Sequence, residues 1–431
     1  MTASTRYERN LPGILDDLSA GPAPEYLDDV FARTAPMRQR PGWTFPERWL
    51  PVADIARTRS FAPAPPWRLI AVALVLIALV LAALLVVAGS QRKVAPPFGP
   101  AHNGEIVYDS AGDLYVGDPE TGASRLLVGG PEVDSAPGYS PDGTRVAFFR
   151  KGGCYPQTVD VVVVNADGSG LTTVNSKPLV EDATWANWTP DSRHLAVIHG
   201  PDGHGRLELV DVERSEPPRQ LAPDMDVSSP AFRPPNGQEI AVRAIVDNKI
   251  GVYVVNTDGT GVPRKLLEPN VSLEMGNHAN NMVYSADGKR LFYQSYTPAT
   301  DGRTEGCCQL WVVNADGSDA HAFESVNEGA WTGVPSVSPD GRWVSYWSVL
   351  GNSGRQQIRV APADGSGPAI GIGPAMSDFF PWLWAPDSSK ILMMPEDGST
   401  TSAYLIDPED GSWSTVPFES GSSLDWQRLA P

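Results

Sequence analysis

From residue 103 onward, apolar and polar positions alternate in short runs and do not recur at helical spacing. Runs such as RVAFFR (145–150), VDVVVV (159–164), HLAVIH (194–199) and RLFYQS (290–295) are bounded by Pro, Asp, Asn and Gly. Period-two patterning, rich in β-branched and aromatic residues and closed by turn formers, predicts strands. The turn formers themselves repeat. YSPDGTRVAFFR (139–150) returns as WTPDSRHLAVIHG (188–200), FRPPNGQEIAVRA (232–244), YSADGKRLFYQSY (284–296), VSPDGRWVSYWS (337–348) and WAPDSSKILMMP (384–395). Aligned on the second letter of the turn, these fall at Pro141, Pro190, Pro235, Ala286, Pro339 and Pro386, at intervals of 49, 45, 51, 53 and 47 residues. A period in this range marks one supersecondary unit copied along the chain.

Each unit repeats one order of elements. A short apolar strand runs into the Pro-Asp-Gly turn, and a second strand leaves it. After a variable loop, a third strand ends in another turn: VDVVVVNADGSG (159–170), GVYVVNTDGTG (251–261), QLWVVNADGSD (309–319) and QIRVAPADGSG (357–367). A weaker fourth strand, such as LTTV (171–174) or RKLL (264–267), closes the unit. Gly supplies the positive φ of a tight turn and Asp hydrogen-bonds back into it, so each unit reads as a four-stranded antiparallel meander. The two ends complement each other. EIVYDSAGDLYVGDPETGASRLLV (105–128) has second, third and fourth strands but no first, and SSLDWQRLAP (422–431) is a first strand with no sequel. Pairing them seals a ring and removes the exposed sheet edges. The expectation is an all-β, seven-bladed β-propeller over 103–431, or six blades if two units share one.

The Ser-Pro-Asp-Gly phrase before one strand, with Asn-x-Asp-Gly before the next, resembles the WD-repeat-like TolB family of β-propellers. The likeness covers about three quarters of the chain. It implies the propeller fold. TolB carries six blades behind a separate α/β domain and an export signal, whereas this sequence places an apolar span ahead of its repeats.

That span is LIAVALVLIALVLAALLVVA (69–88), 20 unbroken apolar positions. As a helix it would cover about 30 Å, the thickness of a bilayer's hydrocarbon core. Arg48, Arg57, Arg59 and Arg68 precede it, and only Arg92 and Lys93 follow. The positive-inside rule then places the N-terminus in the cytoplasm and the propeller outside a bacterial plasma membrane. The sequence divides into a cytosolic segment (1–66), a transmembrane helix (67–90), a linker (91–102) and the propeller (103–431). Within the first, Glu25–Gln39 has an amphipathic pattern, and the Pro- and Trp-rich stretch 7–51 is a candidate docking segment for a cytosolic regulator.

Charge narrows the partners. The chain has 51 acidic and 33 basic residues, a net −18. Residues 1–68 are close to neutral, so nearly all of that charge belongs to the repeats. Nucleic acid, which needs clustered Lys and Arg, is excluded as a partner. Turn-rich composition, with 41 Gly and 41 Pro, suits a protein of many short strands.

Catalytic patterns are missing. No Gly-x-Ser-x-Gly, His-Glu-x-x-His or P-loop occurs. The Asp-Gly turns lack the downstream Glu of a calcium loop, so no metal or cofactor is expected. His194, His199 and His204 read as surface residues. Two candidate features remain. Asp134, Asp182, Asp226, His278, Glu328 and Asp378 stand on the segments entering successive first strands, where a propeller gathers its loops around one mouth of the axial channel. Such a ring would attract a cation, a sugar or a basic peptide. Cys154 and the Cys307–Cys308 pair lie between second and third strands three blades apart; a cross-loop bridge, a vicinal bond and no bond all stay open. Trp331, Trp347 and Trp382 are candidate loop anchors for a partner. The leading expectation is a non-enzymatic binding or scaffold module for a protein, peptide or envelope polymer. The alternative is a propeller hydrolase or lyase using carboxylates at the mouth.

Overall fold

The computed structural model describes residues 71–78 and 94–431, the latter apart from 153–157, 176–178, 181–183, 201–204, 248, 269–281, 298–306, 324–331, 351–352, 378–381, 395–401 and 420–422. The chain divides into two compact units, Met1–Gln91 and Arg92–Pro431. Of the apolar run, residues 71–78 are helical and exposed, and the rest lies outside the described residues, as does the candidate helix over Glu25–Gln39. No helix among the described residues is long and apolar enough to cross a membrane.

The second unit is a ring of seven antiparallel sheets. Their first strands are Val133–Tyr139 (blade 1), Thr184–Trp188 (blade 2), Asp226–Phe232 (blade 3), Met282–Tyr284 (blade 4), Thr332–Val337 (blade 5), Trp382–Trp384 (blade 6) and Leu424–Leu429 (blade 7). Blade 7 is the composite one. Leu424–Leu429 pairs with His102–Ser110, placing His102 opposite Leu429, Ile106 opposite Trp426 and Tyr108 opposite Leu424. The Trp426 indole donates to the Gly104 carbonyl at 3.0 Å, and the Ser423 amide to Asp109 at 2.7 Å. Ring closure follows from the two incomplete ends. Blade 1 departs from the four-strand pattern, because Leu179–Val180 also pairs with Thr158–Asn165.

The core is not one globule but seven apolar seams, each between adjacent blades. Val107, Leu114 and Val116 of blade 7 meet Val146, Phe148 and Val162 of blade 1. On the other side of the closure, Ile106, Tyr108 and Trp426 meet Ala385, Leu392 and Val416. Both faces of a blade are therefore covered, which is why middle strands such as VDVVVV read as continuous apolar runs. Each fully buried Leu, Ile or Phe contributes about 1.5–3 kcal/mol relative to exposure.

The repeated turn makes a second belt around the ring. In blade 1 the Ser140 hydroxyl accepts the Arg145 amide at 3.0 Å and donates to Asp142 at 2.6 Å, while Asp142 takes the Thr144 amide at 3.0 Å. Ser285 with Asp287, and Ser338 with Asp340, repeat the set. Gly has two reasons to follow. At Gly143 φ is +70°, and a Cβ would stand 2.1 Å from the Arg428 carbonyl oxygen of blade 7. At Gly288 it would stand 2.2 Å from the Pro234 carbonyl oxygen of blade 3. Blades 2 and 6 carry Ser instead. Ser192 and Ser388 adopt φ of 57° and 67°, and their hydroxyls accept the Asp142 and Asp340 amides of the preceding blades at 3.0 Å.

Three sequence expectations change. The blade 3 turn is one residue longer than the others: the Gly237 amide reaches back four residues to Arg233, whereas Gly143 reaches back three to Ser140. An Arg233–Glu239 ion pair replaces the Ser-Asp pair there, and Arg233 Nε donates to the Gly288 carbonyl at 2.8 Å. Cys307 and Cys308 are not loop residues; they open the strand Cys307–Asn314, opposite Thr297 and Tyr296. Trp347 and Trp382 also lie on strands, packed against the seam between blades 5 and 6.

Candidate functional site: the axial mouth at the turn end

First strands run from the entering loops to the Pro-Asp-Gly turns, so the channel has an entry end and a turn end. At the entry end, Asp134 is only 1% exposed. Its two carboxylate oxygens accept from Arg150 Nε at 2.7 Å and Nη2 at 2.8 Å. Hydrogen bonding to Asp134 raises the Arg150 pKa. The pair is a closed structural unit between first and second strands of blade 1. Asp226 opens the first strand of blade 3, opposite Ile245. Asp182, His278, Glu328, Asp378, Cys154 and Trp331 lie outside the described residues. His194 and His199 end the same strand, His194–His199, with carboxylates of their own: Asp191 at 2.8 Å and Glu208 at 3.1 Å. At about 3.3 Å per residue they stand roughly 16 Å apart, too far to share a ligand ion.

At the turn end the channel widens into a cavity of about 720 Å³, within the range of small-ligand and peptide pockets. Pro141, Pro190, Pro234, Ala286 and Pro339, from the turns of blades 1 to 5, form its rim. Trp188, Trp382, Tyr284, Val334 and Pro335 lie among its other walls. In blades 1, 2 and 5 the second letter of the phrase is thereby explained, and in blade 3, whose turn is one residue longer, Pro234 rather than Pro235 takes its place; prolines make a rigid rim with few amide donors. Bulges push further prolines inward. Ser229 and Val334 hold φ of 49° and 43° immediately before Pro230 and Pro335, and the first-strand register shifts at both places. For a β-branched residue that φ is a true outlier.

The remaining arc, over blades 6 and 7, is covered by the chain's own leader. The Ala101 amide donates to the Pro386 carbonyl at 2.9 Å. Arg428, on the first strand of blade 7, donates from Nη2 to the carbonyls of Gly99 and of Pro96, the latter at 3.1 Å. Pro97, Phe98 and Gly99 line the cavity. Arg428 is the one charged side chain among the described lining residues. Burial lowers its pKa, with the Asp425 charge acting in the opposite sense, and its Nε has no hydrogen-bond partner among the described residues. Three residues earlier on the same strand, Asp425 accepts the Tyr139 amide at 2.7 Å. Burial pushes the Asp425 carboxyl up to about 6, against the Tyr139 and Trp426 amides and Arg428, which pull it down.

Sequence reasoning placed its candidate ring at the opposite end. The signal for this one was present in the alignment of the repeats, which stacks a proline at the same turn position in most blades, and in the Pro-Pro-Phe-Gly of the leader.

The fold is a β-propeller. No protein-family model matches the sequence. Among solved structures, a prolyl endopeptidase is similar at 14% identity over 77% of this chain and 50% of that one, with a TM-score of 0.53. An oligogalacturonate lyase in complex with manganese is similar at 14% identity over 74% and 85%, with a TM-score of 0.51. TolB from Acinetobacter baumannii is also similar, at 14% identity over 74% and 81% with a TM-score of 0.47. The uncharacterized peptidase YuxL of Bacillus subtilis (strain 168) is 25% identical over 220 residues, which span 50% of this chain and 29% of YuxL. At 14% identity the lyase and the endopeptidase share the fold with this chain and nothing further follows from them.

Proposed function

We propose that the propeller is a non-enzymatic binding or scaffold module that takes a peptide or protein segment at its turn-end mouth. In this reading the apolar run at 69–88 carries it outside a bacterial plasma membrane, and segment 7–51 relays occupancy to a cytosolic regulator. The observation that carries the reading is the lining of the mouth: chiefly prolines, aromatic rings and aliphatic side chains, with Asn187, Ser336, Ser338 and one guanidinium as polar groups and no carboxylate among the described lining residues. Such a surface binds by shape and desolvation, with a few polar groups fixing orientation. Acid–base chemistry instead needs paired titratable groups within reach of one substrate.

A hydrolase or lyase is the second reading, and Asp425 is the observation in its favour. Burial raises its carboxyl to about 6 on the first strand of blade 7, although it does not line the cavity, and a group that titrates there suits proton transfer near neutrality. One preparation of the full-length chain separates the two. It would be tested for saturable retention of envelope proteins and for turnover of peptide and oligosaccharide libraries. The expected result is retention that Trp382→Ala or Arg428→Gln weakens at least tenfold, with no turnover. Turnover abolished by Asp425→Asn, without retention, would establish the enzyme.

A further inference from the structure

The leader does more than join two units. Between the buried Ala95 and Ala101, the sequence Pro96-Pro97-Phe98-Gly99 lies along the mouth and is read through its main chain. The Arg428 guanidinium spans two carbonyls three residues apart, Pro96 and Gly99. That is how a groove can grip a proline-rich segment, in which Pro96 and Pro97 have no amide to donate: carbonyls accept, and rings fill apolar walls. Gly99, at φ +82° with open space where a Cβ would be, turns the chain out of the mouth toward Ala101 and the blade 7 sheet.

We propose that the turn-end mouth is a recognition site for proline–aromatic peptide segments, and that residues 96–99 are its resident occupant in cis. The proposal rests on the binding-module reading and adds the ligand class and a competitor. Three features support it. Prolines, aromatic rings and aliphatic side chains make up most of the mouth, with Asn187, Ser336, Ser338 and one guanidinium as its polar groups, a lining that suits a segment offering carbonyls and rings. Arg428 is half-buried, carries no carboxylate within ion-pair distance among the described residues, and gives its Nη2 hydrogens to the leader's main chain. Finally, the leader covers only the arc over blades 6 and 7. The proline rim of blades 1 to 5 is left open around about 720 Å³, so an incoming segment has a foothold before the leader leaves. A tethered occupant competes at high effective concentration, which sets a threshold for any partner.

The test uses the full-length chain and a fluorescent peptide of the leader's own sequence, Val-Ala-Pro-Pro-Phe-Gly-Pro, read by anisotropy. The wild type should bind it weakly. A variant with Pro96→Ser, Pro97→Ser and Phe98→Ser should bind at least tenfold more tightly, and adding Arg428→Gln should remove that gain. Near-ultraviolet circular dichroism and the unfolding midpoint confirm that each variant is folded. Should a variant fail to fold, the wild type still decides the matter: saturating peptide should speed hydrogen exchange across 94–101. Equal affinity for wild type and leader variant, or exchange unmoved by peptide, would overturn the proposal. If envelope partners are still retained in that case, the binding-module reading survives; turnover without retention would remove that reading as well.

Discussion

Among the candidate ligand residues, Asp134 is buried and paired with Arg150. The carboxylate is 1% exposed and bidentate, so removing its partner strands a buried charge, a change that costs about 3 kcal/mol or more. Arg150→Ala is expected to lower stability by that order in chemical unfolding, while Asp134→Asn combined with Arg150→Met recovers most of it. Asp425 gives a pH dependence with a definite sign. Its carboxyl stands at about 6 in the fold against 3.8 as the ordinary value, so the folded chain holds a proton that the unfolded chain has released. Its contribution to stability is full below about pH 4 and is lost as pH rises through about 6. Burial acts upward on the turn aspartates Asp191 and Asp287 too, but their several hydrogen bonds together outweigh it and hold both low, so they titrate below that window. The unfolding midpoint of Asp425→Asn, whose amide oxygen can still accept from Tyr139, should therefore fall less between pH 4.5 and 7 than that of the wild type. An identical slope would show that this carboxyl titrates normally.

The element that repeats is the turn, and its letters divide the work. Ser caps, Asp closes, Pro faces the mouth and Gly meets the neighbouring blade. Gly143→Ala and Gly365→Ala separate two costs of a left-handed turn. Both glycines have positive φ, 70° and 77°, but only Gly143 is packed against a neighbouring carbonyl; Gly365 has open space. The second change should cost about 1 kcal/mol, the conformational penalty alone, and the first roughly 3 kcal/mol or more in the same unfolding assay. Ser192→Ala and Ser388→Ala each remove an interblade hydrogen bond and are expected to cost about 1 kcal/mol. This turn was also what made the fold legible. Its spacing implied the number of units, and the incomplete ends at Ile106 and Trp426 implied where the ring seals. The longer blade 3 turn was hidden because Arg-Pro-Pro-Asn-Gly aligns with the others by its second proline. The strand character of Cys307, Cys308, Trp347 and Trp382 was hidden for a different reason: β-strands in a propeller extend as far as a cross-strand partner runs, and the partner is not local in sequence.

For the whole molecule, the stacked prolines were legible, but the leader's place across the turn-end mouth was not, because ring closure sets it. Arg428 and Pro96 are 332 residues apart and meet only because the last strand pairs beside the first. Periodicity reveals blades, but not which end of the channel will be apolar or what lies across it. The acidic bias of the repeats drew attention to the entry end, where Asp134 proves to be committed to Arg150. The most direct measurement is site-specific photocross-linking from position 98 of the full-length chain, with p-benzoylphenylalanine in place of Phe98 and the products mapped by mass spectrometry. The expected products join position 98 to the mouth of its own propeller, in the peptides carrying Trp382 or Arg428, and fade as the proline–aromatic peptide is added. Products confined to the outer strands, to lipid or to other proteins would contradict an occupied mouth.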